Sequence, residues 1–384
     1  MELSFNVEAD LSKFDLARTK VLFCGYLDSI FSKSRQRFET LRDLGVDLSG
    51  FNIAEYRTFS LFQRMLALVR PRFPERAISS FNRDFLDRVA ETQPHVVWVE
   101  KALILMPEVL AEAKALLPDT IFVSLQTDTP FSQRYREWPW WSNFISCIPY
   151  YDIHFVYRDS DLESYRRHGA RRVSRQYFHF YPPLHHPWSK TEVPPHCCHD
   201  VVFVGTALDH RVNAMCYLMS TAAIRVDVYG NRWNRHLVYH RHRQWFHGPA
   251  TAEYPAIISG SKVCLGYVSS SNLDQSTSRS VEIPACGGFL LAERTAEHLD
   301  MYIEGKEAEF FGCSEECADK IHYYLGNEHH RLRVARAGHQ RCLRSDRSAK
   351  IQMQKVLHQL LHLRGNATGC MQGVANSSRS AHVR

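Results

Sequence analysis

A chain of 384 residues, 45% hydrophobic and 23% charged, has the composition of a folded globular protein and the length for two domains. Its net charge of +6 suits a nucleotide, a phosphorylated substrate or an anionic surface, and falls short of the concentrated basic face of a nucleic-acid binder. No apolar run approaches the ~20 residues that cross a bilayer, and "MELSFNVEADLSKFDLARTK" lacks the plan of a secretory signal. Without such a signal, eleven scattered cysteines read as reduced thiols in an intracellular, cytoplasmic protein.

The first element after the polar leader is "KVLFCGYL" (20–27), a short apolar run that reads as a buried strand. An amphipathic helix ending near Gly45 and a second strand follow. A helix over 80–91, the strand "PHVVWVEK", the helix "MPEVLAEAKALLP" and the strand "TIFVSLQTD" continue the alternation. "YYDIHFVYRDS" is a further strand and "DLESYRRHGA" a helix with Gly169 as its stop signal. Residues 181–199, "YPPLHHPWSKTEVPPHCCH", are proline-rich and aperiodic, as a linker is. The pattern then restarts with "DVVFVG", "HRVNAMCYLMST", "IRVDVYG", "TAEYPAIISGS" and "KVCLGYV". "SRSVEI" reads as a helix, "GFLLAE" as a strand, and "SEECADKIHYYLGN" and most of 328–364 as helices. Residues 366–384 lack core-forming content and predict a disordered tail.

Strands alternating with helices imply parallel sheets covered on both faces, here two doubly wound, Rossmann-like α/β domains. The expected boundaries are 1–185, a linker at 186–199, a second domain over 200–345 and a C-terminal helix over 346–365. Ligands in such sheets bind beyond the carboxyl ends of the strands, and two such domains are expected to face a central cleft.

Two stretches carry candidate chemistry. In "VVFVGTALDHR" an apolar strand ends at Gly205 and Thr206, before a helix opening near Asp209. A glycine there lets backbone amides approach a ligand, a helix N-terminus favours a diphosphate, and Arg211 can fork phosphate oxygens. An ordinary strand–helix turn with a solvated arginine fits equally well. In "DQSTSRSVEIPACGGFLL", Asp274 and Glu282 stand eight positions apart, before and inside a helix capped by Ser276 or Thr277. Pro284 must shorten or kink that helix, and Gly287 and Gly288 turn the chain into the next strand. A carboxylate so placed can accept two ribose hydroxyls; an Arg279–Glu282 pair on a surface helix explains the same residues. Asp128, after "SLQT", is either an acceptor-side base or, by preference, a turn cap. "HCCH" (196–199) invites a zinc reading, but adjacent ligands lack tetrahedral-site spacing and an incidental linker is favoured. The Arg/His-rich runs 165–175 and 239–248 read as solvated faces, and the aromatic run 137–144 as core or lid packing.

The segment from "DVVFVGTALDHR" through "VDVYGNRWN" and "SRSVEIPACGGFLLAERTAEHLDMYIEGKEAEFFGCSEECADKIHYYLGN" to "RVARAGHQR" resembles the C-terminal half of CgeB-type (spore-maturation-protein-like) glycosyltransferases of the GT-B class. "RSVEIPACGG" is similar to their Arg-x-x-Glu-x-x-Ala-x-Gly element; the likeness is clear over about 200–345 and looser before it. The resemblance implies the GT-B fold, an acceptor domain at 1–185, a nucleotide-sugar domain at 200–345, and a last helix returning to the first domain. It implies that Glu282 holds the donor's ribose, that Asp274 lies near the transferred sugar, and that Arg211 and Arg279 neutralise the diphosphate. Gly205, Thr206, Tyr229 and Gly230 complete the implied donor site. The co-substrate is a nucleotide-diphosphate sugar, with no other cofactor, no metal and no nucleic acid. Retention of configuration follows from the likeness of the acid pair to that of retaining relatives. The acceptor, a glycan, a lipid-linked species or a protein, is not specified, and peripheral membrane association stays open. Related enzymes carry glutamate where this chain has Asp274, which leaves a second implication: an inactive GT-B binding or morphogenetic protein.

Overall fold

The computed structural model describes residues 15–57, 75–132, 139–189 and 191–379. The chain divides into two compact units, 1–176 together with 350–384, and 177–349. The polar leader and the first residues of the aromatic run lie largely outside the described residues.

Unit 1 is built on a parallel six-stranded sheet in the order β2-β1-β3-β4-β5-β6. Its strands are β1 Lys20–Gly25, β2 Asp47–Asn52, β3 Val96–Glu100, β4 Ile121–Gln126, β5 Ile153–Val156 and β6 Val173–Arg175. The inner strands β3, β4 and β5 are buried at every position. That is why they read as unbroken apolar runs rather than alternations. Phe23, Trp98 and Phe155 stack across one face, with neighbouring centroids 5.6 and 6.1 Å apart. Trp141 and Phe144, in the Pro139–Cys147 helix, belong to the core on the other side, as the packing reading of that run predicts.

At the carboxyl end of β3, Glu100 is buried and saturated. Arg37 donates Nε and one terminal nitrogen to its two oxygens at 2.6 and 2.5 Å. Ser34 Oγ adds a bond at 2.6 Å and Trp98 Nε1 one at 2.8 Å, and Arg37 reaches the Tyr157 hydroxyl at 3.2 Å. Both charged side chains are 1% exposed. Such a pair withstands burial because every lone pair and proton facing inward has a partner.

Unit 2 repeats the plan, with the sheet order β12-β11-β10-β7-β8-β9 and every neighbouring pair parallel. Its strands are β7 Val201–Val204, β8 Asp227–Tyr229, β9 Phe246–His247, β10 Val263–Gly266, β11 Leu290–Glu293 and β12 Glu309–Phe311. The segments by which the chain enters and leaves the unit run side by side: Phe180 N–H donates to Arg347 O, and Ala349 N–H returns to Phe180 O.

Three strands escape the sequence pattern: β6, β9 and β12, of two or three residues each. All are short strands at or near a sheet edge, with too few positions for a period to show. The closing helix also differs from expectation. It spans Ala349–Arg379 and so runs through much of the stretch expected to be a disordered tail. No proline interrupts that stretch, so each added turn extends a helix already nucleated on the buried Met353–Leu361 face.

Candidate active site at the strand ends of unit 2

The order of unit 2 reverses between β7 and β10: β8 and β9 lie to one side of β7, β10 to β12 to the other. The crevice beyond the carboxyl ends of strands at such a reversal is where doubly wound sheets take ligands. Two arginines cross this point. Arg279 Nε donates to Val204 O, the last carbonyl of β7, at 3.1 Å. Arg211 donates to Tyr267 O at 3.0 Å and Val268 O at 3.3 Å, just past β10, with Thr206 O at 3.5 Å. Arg211 is therefore buried as a strap between the two strand ends. Burial, then the neighbouring Arg279, lower its pKa, although Asp209, Asp274 and Glu293 oppose that change. Two arginines thus stand at neighbouring strand ends, their charge partly offset by the carboxylates around them.

The turn after β7 depends on two glycines. Gly230 has φ +152°, and a Cβ there would lie 2.0 Å from Gly205 O. Gly205 N–H donates to Tyr229 O, and Trp233 Nε1 donates to Gly205 O. Thr206 follows in the same turn, half-buried. The helix opens at Arg211 rather than near Asp209, runs six residues, and continues as a wider turn over Tyr217–Thr221. Asp209 instead adopts φ +54° and accepts hydrogen bonds from Ser269 and Ser271 at 2.7 and 3.1 Å. It ties the turn after β7 to the serine-rich loop after β10. Asp274, in that same loop, is 8% exposed, and its N–H returns to Ser269 O.

Glu282 lies on the Arg279–Ala285 helix with its side chain 5% exposed. Arg279, with a third of its side chain exposed, donates to it at 3.0 Å and sets its guanidinium over the Tyr254 ring at 5.4 Å. His185, from the proline-rich stretch, brings Nε2 to 3.6 Å from the other oxygen. Tyr181 N–H donates to His185 Nδ1, so a neutral His185 carries its proton on the nitrogen that faces Glu282. Tyr254 is buried, its ring 5.8 Å from that of His185, and its hydroxyl has no hydrogen-bond partner among the described residues. Burial first, then Glu282, push this phenol well above its ordinary pKa, so it is a donor in search of an acceptor.

The helix carrying Glu282 is held by substitutes for what its own sequence lacks. Pro284 has no N–H for the Ser280 carbonyl; the Tyr302 hydroxyl supplies that bond at 2.8 Å. The N-cap is Ser278 rather than Ser276 or Thr277 and makes no side-chain cap bond; Thr277 Oγ1, one residue earlier, accepts from Arg279 N–H at 3.2 Å. Ser280 Oγ meets buried His298 at 2.7 Å, and His339 bonds Pro284 O at 2.8 Å. At the far end Gly287 takes φ +74°, and its N–H returns to Pro284 O.

Some sequence-predicted residues are engaged elsewhere. Tyr229 stacks on His247 with centroids 4.4 Å apart, and its hydroxyl meets His199 at 3.0 Å. Asp128 belongs to unit 1, where it pairs with Lys101 at 3.2 Å. Residues with no local motif complete the neighbourhood. His185 and Tyr254 flank Glu282, and His210 pairs with Glu293 at 2.6 Å. Glu293 also accepts from Val268 N–H at 2.6 Å. Only its place as the last residue of an apolar strand signals Glu293 in the sequence.

With this geometry in place, residues 211–358 match the family described as glycosyl transferase-like. No curated protein matches the sequence. Among solved structures, a sucrose-phosphate synthase from Thermosynechococcus elongatus is similar at TM-score 0.64 and 13% identity, over 90% of this chain and 100% of that one. An α,α-trehalose 6-phosphate synthase from Burkholderia multivorans is similar at 0.60 and 13%, over 92% and 98%. Anabaena HepE, solved in complex with UDP-glucose, is similar at 0.59 and 11%, over 89% and 99%. The chain has the GT-B fold: two parallel-sheet α/β units of six strands each, matching GT-B glycosyltransferases.

Proposed function

We propose that the protein is a CgeB-type glycosyltransferase that moves a sugar from a nucleotide-diphosphate sugar to an acceptor bound by unit 1. The observation that carries this reading is the Arg279–Glu282 pair at the strand reversal of unit 2, within the segment that matches the glycosyl transferase-like family. The complexes of HepE with UDP and with UDP-glucose support a nucleotide-sugar donor for a chain of this fold. Glu282 would accept the ribose hydroxyls, with His185 and Tyr254 shaping that contact. Arg279 would face the diphosphate, with Arg211 adding positive charge from behind the strand ends. As the glycosidic bond breaks, negative charge gathers on the leaving diphosphate, and fixed cations stabilise it without reorganising. Asp274 would meet the transferred sugar, with retention of configuration and no metal required. A second reading, a GT-B protein that binds nucleotide without turnover, is favoured by Asp274 standing where related enzymes carry glutamate.

The test is calorimetric titration with UDP, GDP and dTDP, followed by mass-spectrometric detection of sugar released or transferred from a donor panel. We expect one nucleotide to bind, and Glu282→Ala to weaken it at least roughly tenfold, the loss of about one charge-assisted hydrogen-bond pair. Binding without sugar release would favour the inert reading. No binding, or a Glu282→Ala variant that transfers like the parent, would sink the site assignment.

A further inference from the structure

The stretch "HCCH" has no role in the donor site, and its neighbours in sequence alone make a poor metal site. Folding changes its company. His196 and Cys197, in the short turn Pro195–Cys197, meet Glu253, the residue just before the Tyr254–Gly260 helix. One ligand atom of each lies within 4.8 Å of the other two. His196 Nε2 and Glu253 Oε1 are 2.7 Å apart, with both side chains more than half exposed. Cys197 beneath them is 0% exposed, and among the described residues its sulfur makes no hydrogen bond.

An exposed histidine–carboxylate pair stabilises little on its own, and the sulfur of Cys197, a residue of the buried core, lies within 4.8 Å of both partner atoms. A nitrogen, a sulfur and an oxygen donor converging from two elements 57 positions apart form a set that suits a borderline-soft divalent cation. We infer that His196, Cys197 and Glu253 bind one zinc-class divalent ion, with solvent at the fourth position. Tetrahedral zinc holds such atoms about 3.3–3.6 Å apart. The exposed His196 and Glu253 side chains can part slightly from their 2.7 Å contact and move toward the fixed sulfur, which releases its proton to solvent as the ion binds. The ion would clip the end of the proline-rich stretch to the start of the helix that carries Tyr254. The inference stands apart from the donor reading, since none of the three ligands belongs to the Glu282 group.

The test uses tag-free, full-length protein stripped with chelator, titrated with Zn²⁺ against a chromophoric competitor, and separately loaded with Co²⁺. One equivalent should bind, and His196→Asn and Glu253→Gln, at exposed positions that do not threaten folding, should each weaken it at least roughly tenfold. The cobalt thiolate charge-transfer band should vanish in Cys197→Ser and persist in Cys198→Ser, whose native sulfur lies near Pro194 O instead. Absence of stoichiometric binding, unchanged affinity in His196→Asn and Glu253→Gln, or a band lost with Cys198 rather than Cys197 would overturn the site. Nucleotide binding is read independently, so either proposal can fail without the other.

Discussion

The two units place a carboxylate–arginine pair at the same level, the carboxyl edge of a parallel sheet, and finish it differently. In unit 1, Glu100 and Arg37 are each 1% exposed, and serine, tryptophan and tyrosine occupy their remaining bonds. In unit 2, Glu282 is nearly as deeply sunk, but its arginine is 32% exposed and the phenol beside it has no hydrogen-bond partner among the described residues. A saturated pair has nothing left to offer a ligand, and its worth lies in holding the sheet edge together. A pair left unsaturated on one side keeps hydrogen-bonding capacity in reserve, at the cost of leaving a buried donor unpaired. One edge is closed as core; the other keeps donors and charge that the fold does not use.

The sharpest way to break that contrast is to remove each arginine. Arg37→Met strands a buried carboxylate and should cost about 3–5 kcal/mol, read from the urea midpoint. Arg279→Met, whose native side chain is 32% exposed, should cost less, roughly 1.5–3 kcal/mol, while weakening nucleotide binding. Equal losses from the two variants would erase the distinction between the edges.

Next in size is the pH response. Burial lowers His154, in unit 1, to a pKa of about 4. The unfolded chain therefore takes up the proton first, and stability falls as pH drops from about 6.5 toward 4. The loss is on the order of 2–3 kcal/mol, and a His154→Gln variant should lack it. His210, in unit 2, is raised by its hydrogen bond to Glu293. Its stabilisation is whole below about 6.5 and fades as pH climbs through the raised value, so His210→Gln should flatten the alkaline side. Denaturation midpoints from pH 4 to 8 would show whether the two histidines bend stability in opposite directions.

The smallest effect is local to the open edge. Tyr302→Phe removes the donor to Ser280 O and should cost about 1 kcal/mol. With Pro284→Ala already made, the new amide can serve that carbonyl and the cost should shrink. A double-mutant cycle showing no coupling would mean that the hydroxyl does not stand in for the missing amide.

Much of the fold was legible because buried parallel strands write themselves as apolar runs such as "VVWVE" and "VVFV". The strands that went unread, such as β9 with two residues, are made by pairing rather than by pattern. The Glu282 helix was visible through Pro284 and the paired glycines, which have local causes. His185 and Tyr254 were not, since 97 and 28 positions separate them from Glu282 and only tertiary packing unites them. Arg211 stood out as a phosphate grip, yet the structure gives its donors to three carbonyls. A sequence reveals which residue carries charge, while the surrounding backbone decides how much of that charge is already committed.

The division of the chain also sets the order of its making. Residues 177–349 form unit 2 as one uninterrupted run, whereas unit 1 includes the stretch from 350 onward. Met353, Val356, Leu357 and Leu360 in that stretch are buried. A ribosome therefore releases the six strands of the first sheet, next the whole of unit 2, and after it the helix that completes unit 1. A chain stopped at 349 would keep Arg279, Glu282 and all that surrounds them in unit 2, and lack the apolar ridge by which the closing helix joins unit 1.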